Sequence, residues 1–364
     1  MQTYPFISVI LPIRNESTFI ERCLSAILAQ DYPADRMEIL IADGMSTDET
    51  RKRIQALTDS LTGRRPSLVV FDNPGKIVPI GLNLALRRAR GEVIVRVDGH
   101  TVIAPDYVRC CVEVLQRTDA DNVGGKMDAV GEGAFGEAVA LATSTPFGVG
   151  GARFHYSDRE EWVDTVYMGA WPRRVFEKIG LFDEELVRDQ DDEFNYRLRE
   201  QGGRILLSPA IRSEYTVRST TRTLWRQYFQ YGYWKVRVLQ KHPRQMRLGQ
   251  FAPPVFVFSL LAGLFLLLFP FPYFPLHPSL FIPTVYLAVN LIASTLAAMR
   301  IPSPISNMPI FQFPIPHPLF LLPLIYTILH ISYGLGFLAG LFRFLNRWND
   351  KIGKSPHWSG DTVR

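Results

Sequence analysis

Asp98 and His100 form a pair whose spacing suggests metal chemistry. They are two positions apart and directly follow the apolar run 93–97. At the point where a chain leaves a sheet, side chains with this spacing can bind the same ion. Mg²⁺ and Mn²⁺ need few protein ligands when phosphate oxygens complete their coordination, and a histidine ligand favours Mn²⁺ slightly. The pair predicts a cation that bridges two phosphates of a nucleotide sugar and offsets the charge on a departing diphosphate. The plainer alternative is a turn in which Asp98 caps a helix starting near Pro105.

A second candidate segment follows the apolar run 37–42. Asp43 can accept a hydrogen bond from the N–H of a uracil, and Gly44 lets the backbone approach the base. Ser46 and Thr47 come next, and both are typical residues of a helix cap. A purely structural role therefore stays open for part of this segment.

Four carboxylates crowd into five positions at Asp189, Asp191, Asp192 and Glu193. Acidic residues in the first turn of a helix are favoured by the helix dipole, which accounts for two of them. Four together repel one another unless a cation or a raised pKa relieves the repulsion. One of them is therefore a candidate general base.

The segment Gly169-Ala170-Trp171 precedes a Pro-Arg-Arg sequence. A turn of this composition at a pocket could seat a sugar against the backbone. A plain turn before a helix explains the same residues equally well.

The first hundred residues predict the scaffold that would bring these groups together. Four apolar runs alternate with three helical patterns, the runs at 6–11, 37–42, 68–71 and 93–97 and the helices near 16–29, 47–61 and 77–89. The alternation predicts an α/β fold with a mainly parallel sheet that is covered by helices on both faces. Ligands of such sheets bind beyond the carboxyl ends of the strands, which is where Asp43 and Asp98 fall. Because no Gly-x-Gly-x-x-Gly follows the first strand, a dinucleotide fold is disfavoured.

The charge of the chain is distributed unevenly along its 364 residues. Residues 1–214 contain 26 basic and 33 acidic residues, and residues 215–247 contain eight basic and no acidic residues. In residues 248–342, Arg300 is the only Asp, Glu, Lys or Arg. Basic residues therefore stand on both sides of an apolar region, which is typical of a membrane-associated protein and argues against a nucleic-acid binder. The three cysteines are too few for a disulfide framework and the N-terminus resembles no signal peptide, so we expect the first domain to be cytosolic.

These patterns divide the chain into four regions: a catalytic domain at 1–215, a basic amphipathic helix region at 216–247, a membrane domain at 248–342 and a basic tail at 343–364. Three apolar stretches of the membrane domain, near 254–274, 280–299 and 319–342, approach or exceed the ~20 residues that span a bilayer. The helix over 221–240 is expected to lie on an anionic membrane surface, with an ordinary surface helix as the alternative.

The basic tail conflicts with three membrane crossings. Three crossings from a cytosolic first domain would place the tail outside, whereas its basic residues favour the cytosolic side. Either one apolar segment does not cross the bilayer, or the tail lies outside despite the preference of its basic residues for the cytosolic side.

Together, the motifs resemble those of family-2 glycosyltransferases, whose fold is named GT-A. The matching strings are Pro12-x-Arg14-Asn15-Glu16, Asp43-Gly44-x-Ser46-Thr47-Asp48, Gly81-Leu82-Asn83 with Ala89-Arg90-Gly91, Asp98-x-His100, Gly169-Ala170-Trp171 and Gln190-Asp191-Asp192-Glu193-Phe194. Their order and spacing over about residues 5–240 are more specific than any one string. Within the family, the chain resembles the succinoglycan-type glucosyltransferases of bacterial exopolysaccharide synthesis, which share the basic aromatic string at 226–235 and the membrane helices after the catalytic domain.

The resemblance implies a role for each matching residue. The nucleotide would be bound by Pro12, Asn15, Glu16, Asp43, Gly44 and Asp98. Asp98 and His100 would hold the divalent metal, Mn²⁺ or Mg²⁺. Asp191 would be the catalytic base, with Asp192 as the second choice. The sugar or acceptor pocket would include Gly169, Ala170, Trp171, Gln190, Arg222 and Arg226.

The resemblance also implies an activity. We expect an integral protein of the inner or plasma membrane, with its catalytic domain in the cytosol, that moves one hexose with inversion from a UDP-sugar to a polyprenyl-diphosphate-linked glycan. Glucose is the first candidate for the sugar. Transfer of a single sugar is expected because residues 222–227 lack the Gln-x-x-Arg-Trp string of processive synthases. The alternatives are a processive polysaccharide synthase, a polyprenyl-phosphate sugar synthase and, from another class, a non-catalytic membrane scaffold.

Overall fold

The computed structural model describes residues 4–61, 63, 65–269, 277–299, 318–350 and 356. The chain divides into two compact units. The first comprises residues 1–128, 152–216 and 352–364, and the second comprises 129–151 and 217–351.

The described residues form nine strands and twelve α-helices, numbered here in chain order. The strands are β1 (Ile7–Ile13), β2 (Met37–Asp43), β3 (Ser67–Asp72), β4 (Val93–Arg96), β5 (Thr101–Ile103), β6 (Asn122–Val130), β7 (Glu161–Trp162), β8 (Ala170–Pro172) and β9 (Ile205–Thr216). The helices are α1 (Ile20–Leu28), α2 (Thr50–Ser60), α3 (Val78–Arg88), α4 (Tyr107–Arg117), α5 (Gly133–Thr143), α6 (Pro146–Val149), α7 (Arg174–Ile179), α8 (Gln190–Glu200), α9 (Thr221–Lys241), α10 (Ala252–Leu266), α11 (Phe281–Ala298) and α12 (Pro318–Arg343).

One sheet of nine described strands organises the first unit. Its order is β3-β2-β1-β4-β8-β6-β9-β5, and β7 pairs with β9. The strands β1 to β4 are parallel, whereas β8 runs antiparallel to β4, and β5 and β7 run antiparallel to β9. The predicted α/β fold is therefore confirmed, but the sheet is mixed rather than mainly parallel. Regular helical crossovers end after β4, and antiparallel pairs do not need them.

The parallel strands β1, β2 and β4 are buried because helices cover both faces of the sheet, whereas β3 lies at the edge of the sheet and is largely exposed. Ile7, Val9 and Leu11 of β1 pack in a core cluster with side chains of α1 and α4. Ile10, whose side chain points to the opposite face, packs in a second cluster with side chains of α3, α7 and α8. This double burial explains why the strands are continuous apolar runs without polar alternation. Because the four strands are parallel, their carboxyl ends meet at one edge of the sheet.

The second unit is helical and includes a segment that the sequence analysis assigned to the catalytic domain. Residues 129–151, which contain α5 and α6, cluster with the C-terminal helices. The hydroxyl of Thr145 lies 2.9 Å from that of Tyr326, and a ring nitrogen of His330 lies 2.8 Å from the carbonyl oxygen of Phe147. This grouping differs from the predicted boundary at residue 215. The partners lie far apart along the chain, so composition and local pattern gave no sign of them.

Helix α9 packs closely along α12. A Cβ atom added to Gly232 of α9 would lie 2.0 Å from the carbonyl oxygen of Tyr333, and one added to Gly336 of α12 would lie 2.0 Å from that of Phe229. The second half of α9 is consequently buried, including Lys235 and Arg237. A basic helix that lies on the membrane surface would expose Lys235 and Arg237, so the structure corrects the predicted surface placement for this half of α9. Glycines permit this close approach of backbones, but helical periodicity does not reveal which helices are neighbours.

Three described helices are long and apolar enough to cross a membrane. They cover Leu248–Leu266, Phe281–Ala298 and Phe320–Arg343 and overlap the three predicted stretches. Residues 270–274 of the first stretch, and most of the tail after residue 350, lie outside the described residues. The domain limits drawn from the sequence stay a prediction.

Candidate active site

Asp98 lies just beyond β4 and is held by Arg96, the last residue of that strand. The guanidinium Nε lies 2.8 Å from Oδ1 of Asp98, and Nη2 lies 3.1 Å from Oδ2. Burial raises the pKa of Asp98, but the charge and hydrogen bonds of Arg96, together with the charges of His100 and Arg188, outweigh burial and lower that pKa below its usual value. Arg96 is only 4% exposed, and the sequence analysis missed it. The available signal was a single charge inside the apolar run 93–97.

His100 and Glu16 face each other across the same edge of the sheet. The Nδ1 atom of His100 lies 3.3 Å from Oε1 of Glu16. A metal-binding histidine commonly directs its second ring nitrogen to a carboxylate, so this arrangement leaves Nε2 as the nitrogen for a ligand. The helix-cap alternative for Asp98 is wrong, because α4 begins at Tyr107 and Asp106 is the residue that precedes it.

The available donors fit a cation that is bound mainly by phosphate. Among the described residues, no three His, Cys, Asp or Glu side chains are grouped as metal ligands. Asp98 and His100 therefore supply two donors at most, with Glu16 behind the histidine. Mg²⁺ and similar ions take several ligands from substrate phosphates and water, so two protein donors suit that use. Asp98 would have to share one oxygen between Arg96 and the ion.

Asp191 of α8 interacts electrostatically with Arg96 and Asp98. Asp189 precedes the helix in a left-handed conformation (φ 60°), and Asp191 occupies the first turn. Burial raises the pKa of Asp191; Arg96 opposes this effect, while the nearby charges of Asp192 and Asp98 add to it. The three residues Asp98, Arg96 and Asp191 are therefore close enough to interact electrostatically, although α8 is distant from β4 in the sequence.

The other residues around α8 differ in their suitability for chemistry. Glu193 is buried and paired with Arg197, whose Nε lies 2.6 Å from Oε1 of Glu193. Its role is therefore structural. The backbone N–H of Asp192 donates to Oδ1 of Asp191 at 3.0 Å. Gln190, predicted for the sugar pocket, is buried, and its Oε1 has no hydrogen-bond partner among the described residues.

The predicted nucleotide segments after β1 and β2 are tied together by side chains. The backbone N–H of Asn15 donates to the Ser46 hydroxyl at 2.9 Å, and the N–H of Thr47 donates to Oδ1 of Asn15 at 2.9 Å. Asn15 adopts a left-handed conformation (φ 55°). Neither Ser46 nor Thr47 caps α2, because that helix begins later, at Thr50. Pro12 lies within β1 and is buried.

Asp43 ends β2 and is fully buried. Its carboxylate accepts hydrogen bonds from the backbone N–H of Ser46, at 3.1 Å, and from the Ser46 hydroxyl. Arg51 pairs with the second oxygen, and this hydrogen bond raises the pKa of Arg51. A Cβ atom on Gly44 would lie 3.2 Å from the carbonyl oxygen of Ile13, so a glycine fits the close approach of the two loops.

The structure corrects one residue of the predicted sugar or acceptor pocket. Trp171 is 1% exposed and packs edge-on against Phe176, Phe182 and Phe194, so it belongs to the core. A tryptophan that follows a turn has the same local sequence pattern whether it lines a pocket or packs in the core. Only its tertiary neighbours distinguish the two placements.

The remaining residues of that pocket are distributed over both units. Gly169 has a positive φ of 105°, and Ala170 is buried in β8 opposite Val95. Arg222 and Arg226 are exposed on α9 of the second unit, and their role in the pocket stays a prediction.

The model of a known protein family matches nearly half of this chain. Residues 8–180 match the family model described as glycosyl transferase family 2. These residues therefore resemble a family-2 glycosyltransferase domain. The match includes Asn15, Asp43 and Asp98 but ends before α8, so the helix with Asp191 lies outside the matched segment.

Curated relatives extend the similarity beyond the family-2 domain. A dolichyl N-acetyl-α-D-glucosaminyl phosphate 3-β-D-2,3-diacetamido-2,3-dideoxy-β-D-glucuronosyltransferase of Methanococcus voltae is 29% identical over 242 residues, which are 65% of this chain and 74% of the relative. The succinoglycan biosynthesis protein ExoA of Rhizobium meliloti is 29% identical over 247 residues, 67% of this chain and 73% of the relative.

A solved structure supports the fold. The mannosyltransferase PcManGT of Pyrobaculum calidifontis, solved with GDP-Man and Mn²⁺, superimposes with a TM-score of 0.55 at 21% identity and covers 92% of this chain and 88% of its own. The family-2 domain therefore has the GT-A fold that the sequence motifs implied.

Proposed function

We propose that this protein is a membrane-bound, inverting glycosyltransferase that moves one hexose, glucose as the first candidate, from a UDP-sugar to a polyprenyl-diphosphate-linked glycan. The observation that carries the proposal is that Asp98 and Asp191 both interact electrostatically with the buried guanidinium of Arg96. In the proposed reaction, Asp98 would face the nucleotide diphosphate and Asp191 would act as the base for the acceptor.

Asp191 is the general base of the proposed reaction. Its carboxylate takes the proton of an acceptor hydroxyl while that oxygen attacks the anomeric carbon of the donor sugar. The diphosphate departs from the opposite face, so a single displacement inverts the anomeric centre. No covalent intermediate with a side chain is required. The raised pKa of Asp191 makes it a stronger base than an ordinary aspartate.

Asp98 and His100 would hold Mn²⁺ or Mg²⁺, which supplies positive charge to the diphosphate when it is bound. Glu16 orients His100 through Nδ1. The presence of Mn²⁺ with GDP-Man in the structure of PcManGT supports a divalent ion of this kind. It also means that the nucleobase must be determined for this chain directly.

The loops after β1 and β2 form the proposed nucleotide site. Asn15 and Ser46 lock the two loops together, and Gly44 keeps their backbones close. Asp43 would receive the uracil N–H in place of one of its present bonds to Ser46 or Arg51.

A lipid-linked acceptor is supported by the names of the relatives. One acts on a dolichyl N-acetylglucosaminyl phosphate, and another belongs to succinoglycan biosynthesis. The apolar helices would keep this chain in the inner or plasma membrane, with the catalytic unit in the cytosol. The exposed Arg222 and Arg226 would attract the phosphates of the acceptor.

A donor panel with protein extracted from membranes tests the proposal. UDP-glucose, other UDP-hexoses and GDP-mannose are supplied with Mn²⁺ and a membrane-lipid extract, and the product mass is measured. A single added hexose from a UDP-sugar supports the proposal. Long products would indicate a processive synthase, transfer to a lipid monophosphate would indicate a polyprenyl-phosphate sugar synthase, and no turnover would favour a scaffold.

The base assignment has a matched control in the neighbouring carboxylate. Asp191→Asn is expected to abolish transfer while UDP binding persists, whereas Asp192→Asn retains transfer. The reverse pattern would assign the base to Asp192 instead.

A further inference from the structure

The end of α9, which precedes α10 in the chain, is bonded to the segment that follows α12. Near the end of α9, the buried Arg237 places Nη2 3.1 Å from a carboxylate oxygen of Asp350. One turn later, Gln240 donates to the carbonyl oxygen of Phe344 at 2.7 Å. The chain therefore enters and leaves the apolar helices at the same place in this unit.

The start of α10 lies beside the last third of α12. The rings of Phe251 and Phe337 are 6.0 Å apart, and a Cβ atom on Gly334 would lie 2.6 Å from the carbonyl oxygen of Pro253. From Phe337, α12 continues for only six residues, about 9 Å, to its end at Arg343. If these helices are in a bilayer, the start of α10 and the end of α12 face the same leaflet.

Helices α11 and α12 pair in opposite directions. The hydroxyl of Tyr286 lies 3.0 Å from Nδ1 of His330, and one turn further along α11 the amide of Asn290 donates to the Pro323 carbonyl at 3.0 Å and to the Thr327 hydroxyl at 3.2 Å. As α11 proceeds, its partners fall earlier in α12. These helices have 18 and 26 residues, about 27 and 39 Å, which suits a hydrocarbon core of about 30 Å.

Helix α10 is shorter and leads back to the start of α11. It has 15 residues, about 22 Å. A Cβ atom on Gly263, near its end, would lie 3.4 Å from the carbonyl oxygen of Ser279, two residues before α11 begins. If α11 starts at the leaflet where α12 ends, as the antiparallel pairing requires, α10 returns to that leaflet as well.

We propose that the apolar region crosses the bilayer twice, through α11 and α12, and that α10 enters the membrane and returns to the same face. The proposal rests on the membrane insertion proposed above and is independent of the reaction. It resolves the conflict between three apolar stretches and a basic tail, because two crossings bring the tail back to the side from which the chain entered.

The charges at that face fit a layer of anionic lipid headgroups. Arg244 and Arg247 are exposed between α9 and α10, and Arg343 is exposed at the end of α12. Trp348, 41% exposed, is of the type that concentrates at membrane interfaces. Basic residues near a membrane span favour the cytosolic side, so both ends of the apolar region share one electrostatic preference.

Substituted-cysteine labelling tests the number of crossings. Single replacements Arg244→Cys, Tyr273→Cys, Ser306→Cys and Ser359→Cys are made in the full chain and reacted with a membrane-impermeant maleimide in right-side-out and inside-out vesicles. The native Cys23, Cys110 and Cys111 are buried, so the unaltered chain gives the background.

We expect the variants at 244, 273 and 359 to be labelled from one side and the variant at 306 from the other. Labelling of 359 opposite to 244, of 273 opposite to 244, or of 306 on the same side as 244 would overturn the proposal. Alkaline extraction of the same vesicles separates the two failures. A protein released by alkali refutes membrane insertion, whereas a retained protein with another labelling pattern refutes only the two crossings.

Discussion

The contact between α9 and α12 makes Gly336→Ala a sensitive test of the second unit. The new Cβ would lie 2.0 Å from the backbone carbonyl oxygen of Phe229, whereas ordinary contact begins at 3.4 Å. The helices would have to separate by about 1.4 Å, because a backbone atom cannot turn aside. Overpacking of this kind costs about 1–3 kcal/mol, and the better helix propensity of alanine returns about 0.5–1 kcal/mol. We therefore expect a net loss of about 1–2 kcal/mol.

Thermal unfolding in detergent measures this loss. For a unit of this size each kcal/mol lowers Tm by about 2–4 °C, so Gly336→Ala should lower Tm by several degrees. Gly249→Ala is the matched control, because nothing lies within 4 Å of a Cβ atom at that position. Equal Tm values for the two variants would refute close packing of α9 on α12.

The remaining predictions concern the site in the first unit. Arg96→Gln should destabilise the fold by about 3–5 kcal/mol, since it leaves the Asp98 carboxylate buried without its partner, and Arg96→Lys, which keeps the charge, should cost less; urea unfolding of both variants compares them. Because burial raises the pKa of Asp191 and the base must be ionised, kcat/KM should fall as the pH drops through a value above the usual ~3.9 of an aspartate, and a pH–rate profile whose acid limb lies at or below that value would contradict the assignment. Glu16→Gln should raise the Mn²⁺ concentration for half-maximal activity by about 10–100-fold, which a metal titration measures; an unchanged requirement would separate Glu16 from the metal site.

Local patterns in the sequence were sufficient to predict the strands and the helix that carry the site. The apolar runs and turn residues located β1 to β4 to within two residues at each end. For β1, β2 and β4 the reason is that buried parallel strands are continuously apolar. The rule that ligands bind at the carboxyl ends of such strands then placed Asp43 and Asp98 at one edge. The acidic run before an amphipathic pattern located α8.

Tertiary partners could not be read from those patterns. Trp171 was predicted in a pocket, and Lys235 belongs to the helix that was predicted on a membrane surface. Both are buried, because composition does not show which face of an element another element covers. Arg96 was overlooked for a related reason. Its importance comes from its interactions with both Asp98 and Asp191, and no local spacing connects β4 with α8.

Arg96 also explains how two carboxylates tolerate each other before a substrate arrives. Ionised Asp98 and Asp191 repel, and each is penalised by burial. A buried guanidinium is itself costly, and a well-packed apolar residue is often as stable as a buried ion pair. The role of Arg96 in the site therefore explains its presence better than a contribution to stability does. Its positive charge keeps Asp98 ionised in the absence of a cation, and its two hydrogen bonds hold the carboxylate oxygens of Asp98 in a fixed plane. A divalent ion that binds beside His100 would then find the Asp98 carboxylate already oriented, and the carboxylate would be shared between the ion and Arg96.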